Sequence, residues 1–404
     1  VRFVTRPLDR DVDLLAWAGR DGRVIVRDGV GIAGRGEVAR VRLHDALGWL
    51  GACSVDDHVG LPGCGPVALG ALPYAGLAAG ELVVPAVVLG RAADGTRWVT
   101  VADDGTGSGD LDTNLATAVA VARPEPMAEP STVTVRSDRP AADWVAAVGA
   151  AVDEIRSGGL TKVVMARSVT VEADVAFDVA GVLARLRRAF GSSCYLFSLD
   201  GFVGASPELL VARAHASVRS HPLAGTVPRT GDPHTDARAA AGLLASDKDR
   251  WEHRLTIDAV HDALLPFCSW LDEEAEPSIV PVANVQHLGT QVEGRLSGEP
   301  PADVVTLLDA LHPTPAVGGV PRERAIDAQR RLEQLDRGPY AGALGWLDAH
   351  GNGTFAVALR CARIEGAVAR LYAGCGIVAD SDPEAELAET RAKFQAMLGA
   401  LVRV

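Results

Sequence analysis

The spacing of apolar and polar positions changes period several times along the chain. The changes predict strands and helices without a regular strand–helix alternation. Residues 24–27 and 82–89 (LVVPAVVL) have the composition of buried strands, the second interrupted by Pro85. Further strand-length apolar runs lie at 195–202, 209–212, 355–359 and 369–373. Residues 162–171 alternate, which places Lys162, Val164 and Ala166 on one face. Helical spacing governs 143–156, where Trp144, Val145, Val148, Val152 and Ile155 are apolar. A helix over 247–267 starts with charge and carries a stripe through Leu255, Ala259 and Leu264. Residues 322–335 predict a charged surface helix. A last helix over 383–401 has strong start chemistry, with Asp382 to cap it and Pro383 in its first turn. These elements predict a layered α/β (α+β) sandwich rather than a Rossmann fold or a barrel.

With 404 residues, 48% of them hydrophobic, the chain can bury a large core. A formal charge of −13 disfavours nucleic acid or an anionic membrane surface as partner. It also means that any anion site needs local Arg, Lys or metal. No run reaches the ~18 apolar residues of a membrane-spanning helix, and residues 1–10 lack a signal-peptide core. The six scattered cysteines form no CxxC pair and read as apolar residues of a reducing compartment, with Cys53–Cys64 the one disulfide considered. A cytoplasmic protein is expected. Residues 123–132 are Pro-rich and polar, and predict a connection.

P-loop, nucleophile-elbow and zinc spacings are all missing. Five segments carry possible chemistry. In KVVMAR, Lys162 shares a face with Val and Ala, which is costly without a partner, although a strand-end lysine can reach solvent. In GASPELL, Glu208 is either a turn carboxylate or a buried acid with a raised pKa. The PLAGT turn offers Gly225 and Thr226 for a close approach to a polar ligand, with Arg229 nearby. In KDRWEHR, Glu252 sits in the first turns of a long helix. Finally, Gly374-Cys375-Gly376 reads as a turn after a strand, and Glu386, Glu389 and Lys393 share a helix face. Two carboxylates so placed suit magnesium or an ordinary Glu–Lys ladder.

Together, in this order, the segments resemble the chorismate-utilising enzymes: isochorismate, salicylate, anthranilate and aminodeoxychorismate synthases. HPTPAVGG (312–319), RGPYAGALGW (337–346) and ALRCA (358–362) extend the resemblance over residues 140–400. It implies two large sheets with helices packed outside, in one intertwined domain. Residues 1–130 would form its variable part and 131–404 the chorismate-binding catalytic region. By resemblance, Glu252 and Glu389 are magnesium ligands, with Glu386 in the same acidic cluster. Tyr340 and Arg360 match residues that hold a substrate carboxylate. Gly374, Gly376, Gly225, Thr226, His287, Ala316 and Lys393 match other pocket positions. Glu208 matches the acid that assists departure of the ring C4 hydroxyl, and Lys162 the base that activates water for C2.

Within the family, Ala224 replaces the nucleophilic Lys of aminodeoxychorismate synthases. The anthranilate synthases' LLES motif is missing, and they generally lack a Lys at position 162. Water addition to chorismate, giving isochorismate for menaquinone or siderophore synthesis, is the expected activity. Salicylate synthesis is the alternative, disfavoured by Ala316 where those enzymes show Thr; an inactive binding paralogue is another. The resemblance implies a monomer.

Overall fold

The computed structural model describes residues 1–103, 118–120 and 127–402. Among them the strands form a 13-stranded, a nine-stranded and a three-stranded sheet. The largest runs from Val133–Ser137 through Lys162–Ala173, Val368–Ile377 and Cys361–Glu365, then reaches strands from the first hundred residues. The nine-stranded sheet likewise joins Leu209–Ala214 and Gly353–Val357 to Val67–Ala71 and Ala39–Arg42. Early and late parts of the chain are therefore woven into the same sheets.

Side-chain alternation explains the layers. In the strand Arg23–Arg27, Ile25 enters a core shared with Leu69, Leu344 and Phe355 of the nine-stranded sheet. Its neighbours Val24 and Val26 point the other way, to a core with Leu183, Leu186, Phe394 and Met397. Those residues belong to the outer helices Val179–Phe190 and Pro383–Leu401. A third core sets Trp144, Val148 and Val152 of the helix Ala141–Arg156 on Val163 and Met165. Each large apolar side chain so buried contributes about 1.5–3 kcal/mol. Because Val163 and Met165 face this helix, Lys162, Val164 and Ala166 must face inward, as the alternation predicts.

The layered sandwich is as expected; several elements differ. The run 82–89 is two strands, Glu81–Val84 and Val87–Arg91, in different sheets. Pro85 has no N–H for a ladder, and the chain changes sheets there. The run 195–202 is a hairpin, Tyr195–Leu199 and Phe202–Ser206, turning at Asp200 and Gly201 with φ of 50° and 80°. Positive φ at both centres matches a type I′ turn, for which Asp-Gly is a strong signal. Gly374-Cys375-Gly376 is no turn: it lies inside Val368–Ile377 and pairs with Ala166, Met165 and Val164. The helix from residue 247 ends at Leu264, and a 3₁₀ turn carries Pro266. The helix Arg322–Leu332 is not purely a surface element, since Ala325, Ala328 and Gln329 are buried.

All six cysteines are free, four buried and two half-buried. Residues 123–126 of the expected connection lie outside the described residues; 127–130 have no regular structure. Among the described residues no helix is long and apolar enough to cross a membrane.

Candidate active site

A cavity of about 330 Å³ opens where the Lys162 end of its strand meets the starts of the helices Asp247–Leu264 and Pro383–Leu401. The fourteen residues that match family site positions all line it, whereas Arg229 does not and pairs with Asp236 at 3.4 Å. The pairing of Lys162–Ala173 with Val368–Ile377 makes one wall, in a register that sets Val164 against Gly376 and Ala166 against Gly374. A side chain at either glycine would crowd the site. A Cβ on Gly376 would lie 2.8 Å from Glu252 Oε1 and 2.9 Å from Lys162 Cε. On Gly374 it would lie 3.0 Å from the Tyr340 hydroxyl.

Lys162 is 1% exposed, and its Nζ is 2.8 Å from Glu252 Oε1. Its strand begins at the cavity, so the amine spends its length beside Gly376 and ends among carboxylates. Burial works to raise the Glu252 pKa, but Lys162, Lys393 and Lys248 together outweigh it and hold the carboxyl below its usual value. Across the cavity Glu208 is buried after Pro207, with its backbone tied to Val357 and Ser206. Burial pushes its pKa up to about 8, against weaker opposing effects of the Leu223 backbone and Lys162. At neutral pH this carboxyl holds its proton and can donate it.

The last helix supplies the third wall. Its first turn is capped by Asp382, and Glu386, Glu389 and Lys393 follow on the cavity face. Lys393 Nζ reaches both Glu389 Oε1 at 2.6 Å and Gly374 O at 2.8 Å. Burial and then Glu389 push the Glu386 pKa up, despite the Ser381 hydroxyl donating at 2.8 Å.

One end of the cavity is built around Arg360, which is buried and sits at φ 48°. A non-glycine residue there carries backbone strain, and the conformation delivers its guanidinium to the cavity. Arg360 Nη2 is 3.3 Å from His287 Nε2. Because Arg only donates, Nε2 accepts and Nδ1 carries the proton, which it gives to Gly225 O at 3.1 Å. The Thr226 hydroxyl lies 3.1 Å from the same nitrogen. Burial, with Arg360 and Lys393 nearby, lowers the His287 pKa to about 3, so the ring is a neutral prop. The Tyr340 ring stacks on Tyr372 at 5.3 Å, and burial pushes its phenol up.

Ala224 and Ala316 line the cavity as well, so small side chains there leave room for a ring-sized ligand. Lys248, Asp249 and Tyr372 line it without having been assigned from sequence. Lys248 stood in a charge run, which ordinarily marks a solvated helix face. Among the described residues no three His, Cys, Asp or Glu side chains already form a closed metal cage. Glu252, Glu386 and Glu389 instead line the open cavity together, with lysines as counter-ions.

The chorismate binding enzyme family matches residues 73–402 of the chain. Isochorismate synthase DhbC of Bacillus subtilis (strain 168) is 37% identical over 347 residues, covering 83% of this chain and 81% of that protein. The solved structure of MenF, the menaquinone-specific isochorismate synthase from Escherichia coli, superposes with a TM-score of 0.84. It is 28% identical, and the match covers 99% of this chain and 94% of that one. Anthranilate synthase component I from Streptococcus pneumoniae TIGR4 has the same fold, with a TM-score of 0.71 at 21% identity over 98% of this chain and 92% of that one. The sandwich, the cavity and these likenesses place the chain in the chorismate binding enzyme family.

Proposed function

We propose that the protein is an isochorismate synthase that converts chorismate to isochorismate by adding water at ring C2 and expelling the C4 hydroxyl as water. The supporting observation is that a lysine amine and a buried carboxyl with a pKa near 8 share one cavity. Lys162 accepts the proton of the attacking water. Glu208 gives its proton to the leaving hydroxyl, which is otherwise a poor leaving group. The two transfers balance, so substrate and product are isomers. Arg360, oriented by His287, binds a carboxylate of the substrate, with Tyr340 and Thr226 beside it. One relative is described as menaquinone-specific and another, from Vibrio cholerae, as vibriobactin-specific, and the product would serve either.

Magnesium suits this site on its donor set. Glu252 and Glu389 are hard oxygen donors, Glu386 adds a third carboxyl whose pKa is raised by burial and then by Glu389, and the lining carboxyls outnumber the lysines. Magnesium takes one or two protein carboxylates and leaves other positions to water and substrate. When bound it supplies charge neutralisation for a dianionic substrate in an acidic protein. Lys162 and Lys393 are then freed from holding these carboxylates alone.

The deciding test is incubation with chorismate and magnesium, with products separated by chromatography. Isochorismate alone is expected. Salicylate with pyruvate would replace the reading by salicylate synthesis, and binding without turnover would make the protein a non-catalytic paralogue. Glu252→Ala and Glu389→Ala are each expected to raise the magnesium concentration for half-maximal rate by about tenfold or more. Unchanged titrations would reject them as ligands. Gly376→Ala is expected to lower kcat/KM by roughly tenfold or more while thermal stability changes little, because its methyl displaces the Lys162–Glu252 pair. Wild-type kinetics in that variant would show that the pair's position is unimportant.

A further inference from the structure

The strand that carries Lys162 has a gap along one edge. One edge pairs with Val368–Ile377 from Val163 to Glu172. The other pairs with Gly319–Val320 at Lys162 and Val163, and with Val133–Ser137 from Val169 to Ala173. Between those stretches two backbone bonds remain, from the Val164 N–H to Gly318 O at 2.8 Å and from the Asp138 N–H to Ser168 O at 3.3 Å, and side chains bond the Val164 carbonyl and both backbone groups of Ala166. Gln329 Nε2 donates to Val164 O at 3.0 Å, and Arg337 Nη2 donates to the same oxygen at 2.9 Å. The Ala166 N–H donates to Glu333 Oε1 at 2.9 Å, and the Trp144 indole donates to Ala166 O at 3.1 Å.

The same side chains hold a second element. Gln329 Nε2 also donates to Gly318 O at 2.8 Å, and Arg337 Nη1 to Val317 O at 2.9 Å. Residues 316 and 317 line the cavity, as does Val164. Glu333 and Arg337 are joined by two hydrogen bonds, and the Tyr74 hydroxyl donates to Gln329 Oε1 at 2.7 Å, which fixes the amide's orientation. All three braces are buried, at 4–5% exposure, and none lines the cavity. A buried ion pair costs desolvation that apolar packing would not, so its presence is weak support for stability.

We propose that Glu333, Arg337 and Gln329 are positioning residues that lock the Lys162 strand to the loop 316–318 and so fix the amine relative to the bound ring. The proposal rests on the role given to Lys162 above. Arg337 suits it because a planar guanidinium spans a carboxylate and two carbonyls at once, which lysine cannot do.

The test is steady-state kinetics on Glu333→Leu/Arg337→Met, which removes both charges together and so leaves none stranded. Below its thermal midpoint, this variant is expected to lose about 10- to 100-fold in kcat, with KM for chorismate within about threefold. A purely structural role would lower the midpoint and leave kcat of the folded protein unchanged, and that result overturns the proposal. So does a rise in KM at constant kcat, which would place the effect on binding. Gln329→Met, a milder change with no charge involved, is expected to show the same split at about three- to tenfold, and decides the matter if the double variant does not fold. Wild-type kcat in a folded Gln329→Met variant then overturns it. Failure of the base assignment is separate: it shows as full turnover in Lys162→Ala, whatever the brace variants do.

Discussion

Replacing Glu208 by Gln is expected to make the protein more stable and nearly inactive. Gln has the shape of a protonated Glu but cannot release a proton, so departure of the C4 hydroxyl loses its acid. General acid catalysis is worth about 10²–10⁴ in rate, and kcat should fall within that range while chorismate still binds. The stability gain follows from linkage. Glu208 has a pKa near 8 in the folded protein against 4.5 for an ordinary glutamate carboxyl in water. Between those values the folded state holds a proton that the unfolded state has released, so stability falls as pH rises from 4.5 to 8. Gln has no such dependence. At pH 7 the difference is on the order of 3 kcal/mol as an upper bound, and it vanishes below the unfolded pKa. Denaturant melts of both proteins across that window measure it. A variant with normal turnover would remove Glu208 as the acid; equal stability at every pH would mean that its carboxyl is not held neutral.

Glu208 also sets the pH dependence of the wild-type rate. The forward reaction needs the proton on Glu208, so its kcat/KM should fall as pH rises through the Glu208 pKa. That fall is expected close to pH 8, where Glu208 titrates, and it should be missing in Glu208→Gln.

Much of the local structure behind this chemistry was legible in the sequence. Alternation alone set Lys162 on the face of Val164 and Ala166, without deciding between burial and a strand end that reaches solvent, and the capped helix after Asp382 set Glu386, Glu389 and Lys393 on one face. Long-range register was not legible that way. Lys162 and Gly376 meet because two strands more than 200 residues apart are paired, and no local period encodes a pairing partner. Only the resemblance of ordered motifs joined those segments. Other misses were local. Asp200-Gly201 was a readable turn inside an apolar run, and Pro85 a readable strand end. Glu333 caps the end of the charged helix Arg322–Leu332 and Arg337 lies beyond it, so a run of charge that ordinarily reads as solvated hid Glu333, and no local period marks Arg337 as its buried partner.

Lys162→Ala should separate chemistry from binding at the other end of the ring. The truncation removes the only lysine that is both fully buried and bonded to Glu252 among the described residues, so water at C2 loses its base. A fall of about 10²–10⁴ in kcat is expected, with chorismate affinity retained through Arg360 and its neighbours. The fold should survive, because Val163 and Met165 still anchor the strand to the helix behind it. Glu252 pays the structural consequence: with Lys162 gone, burial is opposed only by Lys393 and Lys248, and its pKa should rise. Magnesium would offset that loss by supplying positive charge, so the variant should gain more thermal stability from added magnesium than the wild type does. Calorimetry with and without the ion, beside a turnover assay, reads both effects. Full turnover would end the base assignment, and an identical magnesium response in the two proteins would mean that the ion binds away from Glu252.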